Sequence, residues 1–115
     1  MRGGTPSAKT RVAVLGDGGW GTTLAILLFR KGVEVALWGA FPDYVQFLRK
    51  RRINAKFLPG IPIPRGLRIT ASLEEAVGGR EVIVTAVPSH HLRGVCRSLA
   101  PLLPPGRAAE RPLVI

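Results

Sequence analysis

One cysteine, Cys96, stands among 115 residues, which excludes an internal disulfide framework and suits a reducing compartment. Aromatic residues make up only 6%, so a core has to be built mostly from Val, Leu, Ile and Ala. No apolar run approaches the roughly 20 residues that a membrane-spanning helix needs. The opening stretch MRGGTPSAKTR has no apolar segment to act as a secretion signal. A cytoplasmic chain with one small core is therefore expected. Acidic residues are scarce as well: seven Asp and Glu face seventeen Lys and Arg, a formal charge of +10. Such a balance attracts polyanions, whether nucleic acids or phosphorylated metabolites. Thirteen of the seventeen cations are Arg, scattered among Ala, Gly and Pro. No basic-aromatic module accompanies them, so no nucleic-acid partner is expected.

What is present is an alternation of short apolar runs and helix-length segments. Residues 1–10 are polar and Gly/Pro-containing and read as a flexible leader, with a single domain over 11–115. Arg11 to Leu15 predicts a strand that runs straight into Gly16. Thr22 to Lys31 has helix length and ends on cations with Gly32 beyond, the usual stop signals. Val33 to Trp38 reads as a second strand, with Trp38 in the core. Pro42 suits the first turn of a helix over about Asp43 to Arg52. The prolines of NAKFLPGIPIPRG, Asn54 to Gly66, forbid a long helix there. LRIT, Leu67 to Thr70, is a third strand. Ser72 and Glu75 fit a capping box, with Ser72 capping and Glu75 reaching back. Glu81 to Val87, apolar and β-branched at nearly every position, predicts a parallel strand covered on both faces. Pro88 ends it, and Ser89 is placed to cap a helix that buries Leu92, Val95, Cys96 and Leu99. PLVI, Pro112 to Ile115, starts a further strand. The order β-α-β-α-β-α-β-α-β predicts an α/β fold with a parallel sheet of about five strands and helices on both faces.

Between the first strand and the first helix lies Gly16-Asp17-Gly18-Gly19-Trp20-Gly21, a G-x-G-x-x-G pattern. The pattern alone is weak; a strand before it, a helix after it and a second strand about twenty residues on make it informative. Gly16 permits a tight turn, Gly18 lets backbone approach a pyrophosphate, and Gly21 allows close helix–strand packing. The amides and positive end of the helix then face the phosphates. These features predict a Rossmann-type dinucleotide site. At the end of the second strand, where a carboxylate takes the ribose in NAD proteins and an Arg takes the 2′-phosphate of NADP, WGAF offers neither, and Asp43, the nearest acid, falls inside the following helix. Arg49-Lys50-Arg51-Arg52 lies at the far end of the next helix, about 15 Å away, and reads as a solvated helix end. The sequence leaves NAD and NADP both open.

The chain resembles the N-terminal half of bacterial-type NAD(P)-dependent glycerol-3-phosphate dehydrogenases. VLGDGGWGTTLA is similar to that family's cofactor loop, with Trp20 as the distinguishing residue, and LWG at Leu37 to Gly39, N-x-x-FLPGIPIP from Asn54 and AVPSHHLR from Ala86 follow in the family's order and spacing. The resemblance covers about Arg11 to Ile115. It implies that the amides around Gly18, Gly19 and Trp20 hold the pyrophosphate, and that Pro88 and Ser89 border the nicotinamide. It further implies interconversion of sn-glycerol 3-phosphate and dihydroxyacetone phosphate by hydride transfer, for glycerophospholipid synthesis, in a protein that is a homodimer at full length. In the family a second, helical domain supplies the catalytic Lys and the substrate-binding residues. The sequence ends at PLVI, so the chain is expected to bind cofactor without catalysing, and to leave an exposed sheet edge that favours self-association. Asp17 places an acid beside the loop, Gly19 replaces a frequent Ser, and Ala40 and Phe41 replace a frequent His or Arg.

Other chemistry finds little support. His90 and His91 are neighbours at a helix start, where side chains diverge by about 100°, and no further Cys, His or carboxylate has metal-ligand spacing. Cys96 reads as a buried small hydrophobe. A stand-alone, non-catalytic dinucleotide-binding module is the alternative reading.

Overall fold

The computed structural model describes residues 10–103 and 112–115. Most of the expected leader, residues 1–9, lies outside them. Five strands form one parallel sheet: β1 (Arg11–Leu15), β2 (Glu34–Trp38), β5 (Arg68–Thr70), β6 (Val82–Thr85) and β7 (Leu113–Val114), in the order β5-β2-β1-β6-β7. The chain runs outward from β1 through β2 to β5, then crosses back to β6 on the other side. The crevice between the carboxyl ends of β1 and β6 is therefore a topological switch point, where open α/β sheets bind ligands.

Strand β1 shows why helices cover both faces. Side chains alternate across a strand: Val12 and Val14 join a core with α1 (Gly19–Arg30) and α2 (Pro42–Arg51), while Ala13 and Leu15 join another with α3 (Leu73–Val77) and α4 (Ser89–Leu99). All four are buried, as are Val35 to Trp38 of β2. The most buried strands are thus the central pair. Strand β6, expected to be the clearest buried strand, is shorter than predicted and only Ile83 is fully buried. Its outer neighbour is the cause, since β7 pairs with it only at Val82↔Leu113 and Ile83↔Val114. Leu113, Val114 and Ile115 are exposed along this edge.

Several local predictions need correction. Helix α1 begins at Gly19, three residues earlier than expected, because Gly18 already occupies the N-cap position. The proline-rich stretch forms no long helix, as expected, and instead makes a hairpin, with β3 (Ile53–Asn54) antiparallel to β4 (Leu58–Pro62). Ser72 caps α3 by accepting from the Glu75 amide at 3.2 Å, but Glu75 does not reach back. Its carboxylate instead accepts from the Thr70 hydroxyl at 3.1 Å, and that hydroxyl takes the Ser72 amide. Ser89 is the first residue of α4 and makes no capping bond; Pro88 occupies the cap position. Helix α4 buries Val95 and Leu99, whereas Leu92 and Cys96 are exposed. The predicted apolar stripe is wider than the face that the sheet covers.

The basic run at the end of α2 is not uniformly solvated. Arg49, Lys50 and Arg51 are exposed, but Arg52 adopts a left-handed conformation (φ 56°) and turns inward. Its Nη1 donates to the carbonyls of Pro64 (3.2 Å) and Leu67 (2.7 Å). It fastens the approach to β5. Among the described residues no helix is long and apolar enough to cross a membrane.

Candidate functional site

A cavity of about 1370 Å³ opens at the carboxyl end of the sheet. The glycine loop forms its floor, the start of α2 one wall, the hairpin turn another, and the β6–α4 connection the third. Gly16, Gly18, Gly19, Trp20 and Pro88 line it; Gly21 and Ser89 do not. Trp20 is 68% exposed at the rim, so its indole is available to a ligand and not committed to the core.

The glycines of the loop have different reasons to be glycine. Gly16 has φ +128°, and a Cβ there would stand 2.7 Å from the Ala86 carbonyl oxygen. A Cβ on Gly21 would overlap the Gly16 carbonyl oxygen. Both are required by close packing of β1, α1 and the end of β6. At Gly19 a Cβ would come 2.9 Å from the Phe57 carbonyl oxygen, because the hairpin turn closes over it. Gly18 differs. Its backbone is extended (φ −71°, ψ −172°), which any residue adopts, and a Cβ would meet nothing within 4 Å. The fold does not need glycine at 18, and the space above it is open.

Helix α1 presents its positive end to the same space. No side chain caps it and no acid lies in its first turn, so first-turn amides are left for an anion. The loop is held from beneath by Asn54, which is fully buried. Its Nδ2 donates to the Asp17 carbonyl and to Thr22 Oγ1, both at 2.8 Å, while its Oδ1 accepts from the Phe57 amide at 3.2 Å and from the Tyr44 hydroxyl. One side chain thus ties the glycine loop, α1, α2 and the hairpin together. In the sequence Asn54 stands out only as the first residue of N-x-x-FLPGIPIP; its burial and partners come from the fold.

Asp17 is the unusual member of the loop. Its carboxylate lies against Gly39, just beyond β2, and Oδ2 is buried with no hydrogen-bond partner among the described residues. Burial raises its pKa above the ordinary carboxylate value, opposed by a hydrogen bond from its own backbone amide. A carboxyl raised on folding favours the native state in its protonated form, and that contribution is lost as pH rises through the raised value. Asp17→Asn is accordingly expected to raise the melting temperature at pH 7. The gain should shrink as pH falls through the raised value and vanish below the ordinary Asp range, which thermal melts across a pH series will measure.

The histidines do not behave as predicted. The rings of His90 and His91 do not diverge; their centroids are 4.1 Å apart, and His91 lines the cavity. Among the described residues no group of three or more His, Cys, Asp or Glu is placed to hold a metal. Trp38 is buried as expected, with Nε1 donating to the Ala71 carbonyl at 3.0 Å, and it also forms part of the cavity floor.

Residues 11–113 match the family described as NAD-dependent glycerol-3-phosphate dehydrogenase N-terminus. The glycerol-3-phosphate dehydrogenase (NAD(P)+) of Geobacter sulfurreducens is 50% identical over 96 residues, and that of Stenotrophomonas maltophilia strain K279a 46% over 96. These matches take in 84% of this chain but only 29% and 28% of the relatives. Among solved structures, glycerol-3-phosphate dehydrogenase from Coxiella burnetii superposes with a TM-score of 0.78 at 36% identity, covering 82% of this chain and 29% of that one. The Saccharomyces cerevisiae enzyme gives 0.71 at 30%, covering 80% and 30%. The chain spans less than a third of the length of these relatives.

Proposed function

The chain belongs to the NAD-dependent glycerol-3-phosphate dehydrogenase family, whose N-terminal part it matches, and on that footing we propose that residues 11–115 are the domain that holds the dinucleotide for this reaction. The reading rests above all on Gly18, a glycine with no conformational or packing need for being one, facing an open cavity at the sheet's switch point. In this reading the amides of Gly18, Gly19 and Trp20 hold the pyrophosphate, and Gly16 and Gly21 bring strand, loop and helix close enough to aim them. Pro88 and Ser89, where β6 passes into α4, border the nicotinamide side. Lys56, on the hairpin turn at the rim, adds a positive charge to the same cavity.

The bound cofactor, NAD or NADP, supplies the hydride. This chain's residues bind and orient it and exclude water from one side. Reduction of dihydroxyacetone phosphate also requires a proton donor for the developing alkoxide and donors for the substrate phosphate. Lys56 and His91 line the cavity, but neither is assigned to these tasks, which in this reading fall to parts of the family's proteins that the matched segment does not cover. The segment by itself binds and does not catalyse. A homodimer of the whole protein and a cytoplasmic location belong to the same reading and rest on the family resemblance.

Titration with NADH, followed by tryptophan fluorescence, tests the proposal. Gly18→Val is expected to weaken binding by about a hundredfold. The apoprotein should lose no more than about 1 kcal/mol for a poorer helix N-cap. Unchanged affinity in this variant overturns the assignment.

A further inference from the structure

The end of β2 poses a problem that Asp17 resolves. A dinucleotide fold of this kind places a carboxylate there, about twenty residues after the first glycine, to accept from the ribose hydroxyls. Here that stretch is Trp38-Gly39-Ala40-Phe41, without a charged group. A Cβ on Gly39, however, would stand 2.7 Å from the Asp17 Cγ and overlap Oδ2. The carboxylate of Asp17 therefore occupies the space that a side chain at position 39 would fill. It has come to the end of β2 from the neighbouring loop.

Two further observations point the same way. Asp17 lines the cavity beside Ala40 and Phe41, and its buried Oδ2 has no hydrogen-bond donor among the described residues. Oδ2 itself is closed off against Gly39, but Asp17 is only part-buried and lines the cavity, and a ribose diol is a pair of donors for the face that the residue presents there. The surroundings also disfavour a 2′-phosphate. The Arg and Lys run of α2 lies at the helix's other end, and Lys56 sits on the hairpin turn with Nζ 5.4 Å from the Phe57 ring centroid. Phe57 in turn packs its carbonyl over Gly19, on the pyrophosphate side of the loop.

We infer that Asp17 is the ribose-recognising, cofactor-selecting residue of this chain, accepting from the adenosine ribose hydroxyls of NAD and repelling the 2′-phosphate of NADP. The inference rests on the dinucleotide reading above and adds to it a choice between the two cofactors.

Equilibrium titration of the chain with NADH and NADPH, by fluorescence and calorimetry, tests it together with Asp17→Asn and Asp17→Ala. The unaltered chain is expected to bind NADH at least about tenfold more tightly than NADPH, the worth of a charge-assisted hydrogen bond. Both variants should bring the two affinities within about threefold, weakening NADH and admitting NADPH. A merely structural role would lower both affinities together and leave their ratio intact, which would overturn the inference while the dinucleotide reading stands. Equal affinity of the unaltered chain for both cofactors overturns it as well. Binding of neither overturns the dinucleotide reading, and this inference with it.

Discussion

Gly21→Ala is expected to destabilise the chain by at least about 3 kcal/mol, at the upper end of what overpacking costs, and to lower its melting temperature by about 12 °C or more. A single methyl group does this because of what it would strike. The Gly16 carbonyl oxygen occupies the Cβ position, and the Ala86 Cβ lies 3.4 Å from it. Neither is the free end of a flexible side chain. To make room, α1 has to move away from β1, and β1 is fixed between β2 and β6 from Val12 to Leu15. Native proteins of this size hold about 5–15 kcal/mol in total, so the variant sits close to the unfolding threshold. Thermal melts by circular dichroism should set it apart from Gly18→Val, one loop residue of the same type three positions away, which folds normally. A Gly21→Ala melting curve within a few degrees of the parent would show that the loop and helix are less closely locked than described here.

Replacing Asn54 by Leu is expected to cost about 3 kcal/mol and to weaken NADH binding about tenfold. Leu has nearly the same shape, but its arrival leaves the Asp17 carbonyl, Thr22 Oγ1 and the Phe57 amide without their buried partner. Each lost partner costs about 1–3 kcal/mol when no water replaces it, and the groups are too close for their costs to add fully. Asn54→Asp is a sharper test. The carboxylate has no N–H for the Asp17 carbonyl and sets a negative charge beneath the loop. It should be at least as damaging as Leu at pH 7 and less so under acid conditions, where a protonated carboxyl regains one donor. Urea unfolding at both pH values, paired with NADH titration, reads out the two effects separately. If Asn54→Asp unfolds at the same urea concentration as the parent at pH 7, the hydrogen-bond network is not what holds the loop.

The sheet and its two covering layers were legible because they depend on neighbours in sequence. Arg11 to Leu15 reads as a short apolar strand, and in the fold its Val12 to Leu15 are shared between the two cores. Gly32, with φ +89°, marks the turn after α1 where the stop signals lie. The glycine pattern likewise announced itself by spacing. What escaped was settled by distant partners. Asn54 bonds to residues 10, 32 and 37 positions away, and nothing in its local sequence states that they meet beneath the loop. Cys96 reads as apolar-stripe material, yet the sheet ends before it reaches that side of α4. Asp17 looks like a misplaced acid within the loop; its sense appears only when Gly39, 22 positions later in the numbering, is found beneath it.

The register of the central strand also bears on how the molecule comes together in time. Val12 pairs with Val35 on one side and with Val82 on the other. The first strand made is thus half-paired early, by a neighbour some twenty residues on, and then waits for one seventy residues on. Such distant pairings slow folding, because the intervening chain must be ordered before the contact repays the cost. The proposed cofactor site lies at this late seam, with Gly16 pressed against Ala86 from the far side of it. During synthesis the loop emerges well before β6 and acquires its final shape only after β6 has arrived. A nascent chain halted before Val82 would carry every glycine of the motif and lack the cavity wall that Ala86, Val87 and Pro88 supply.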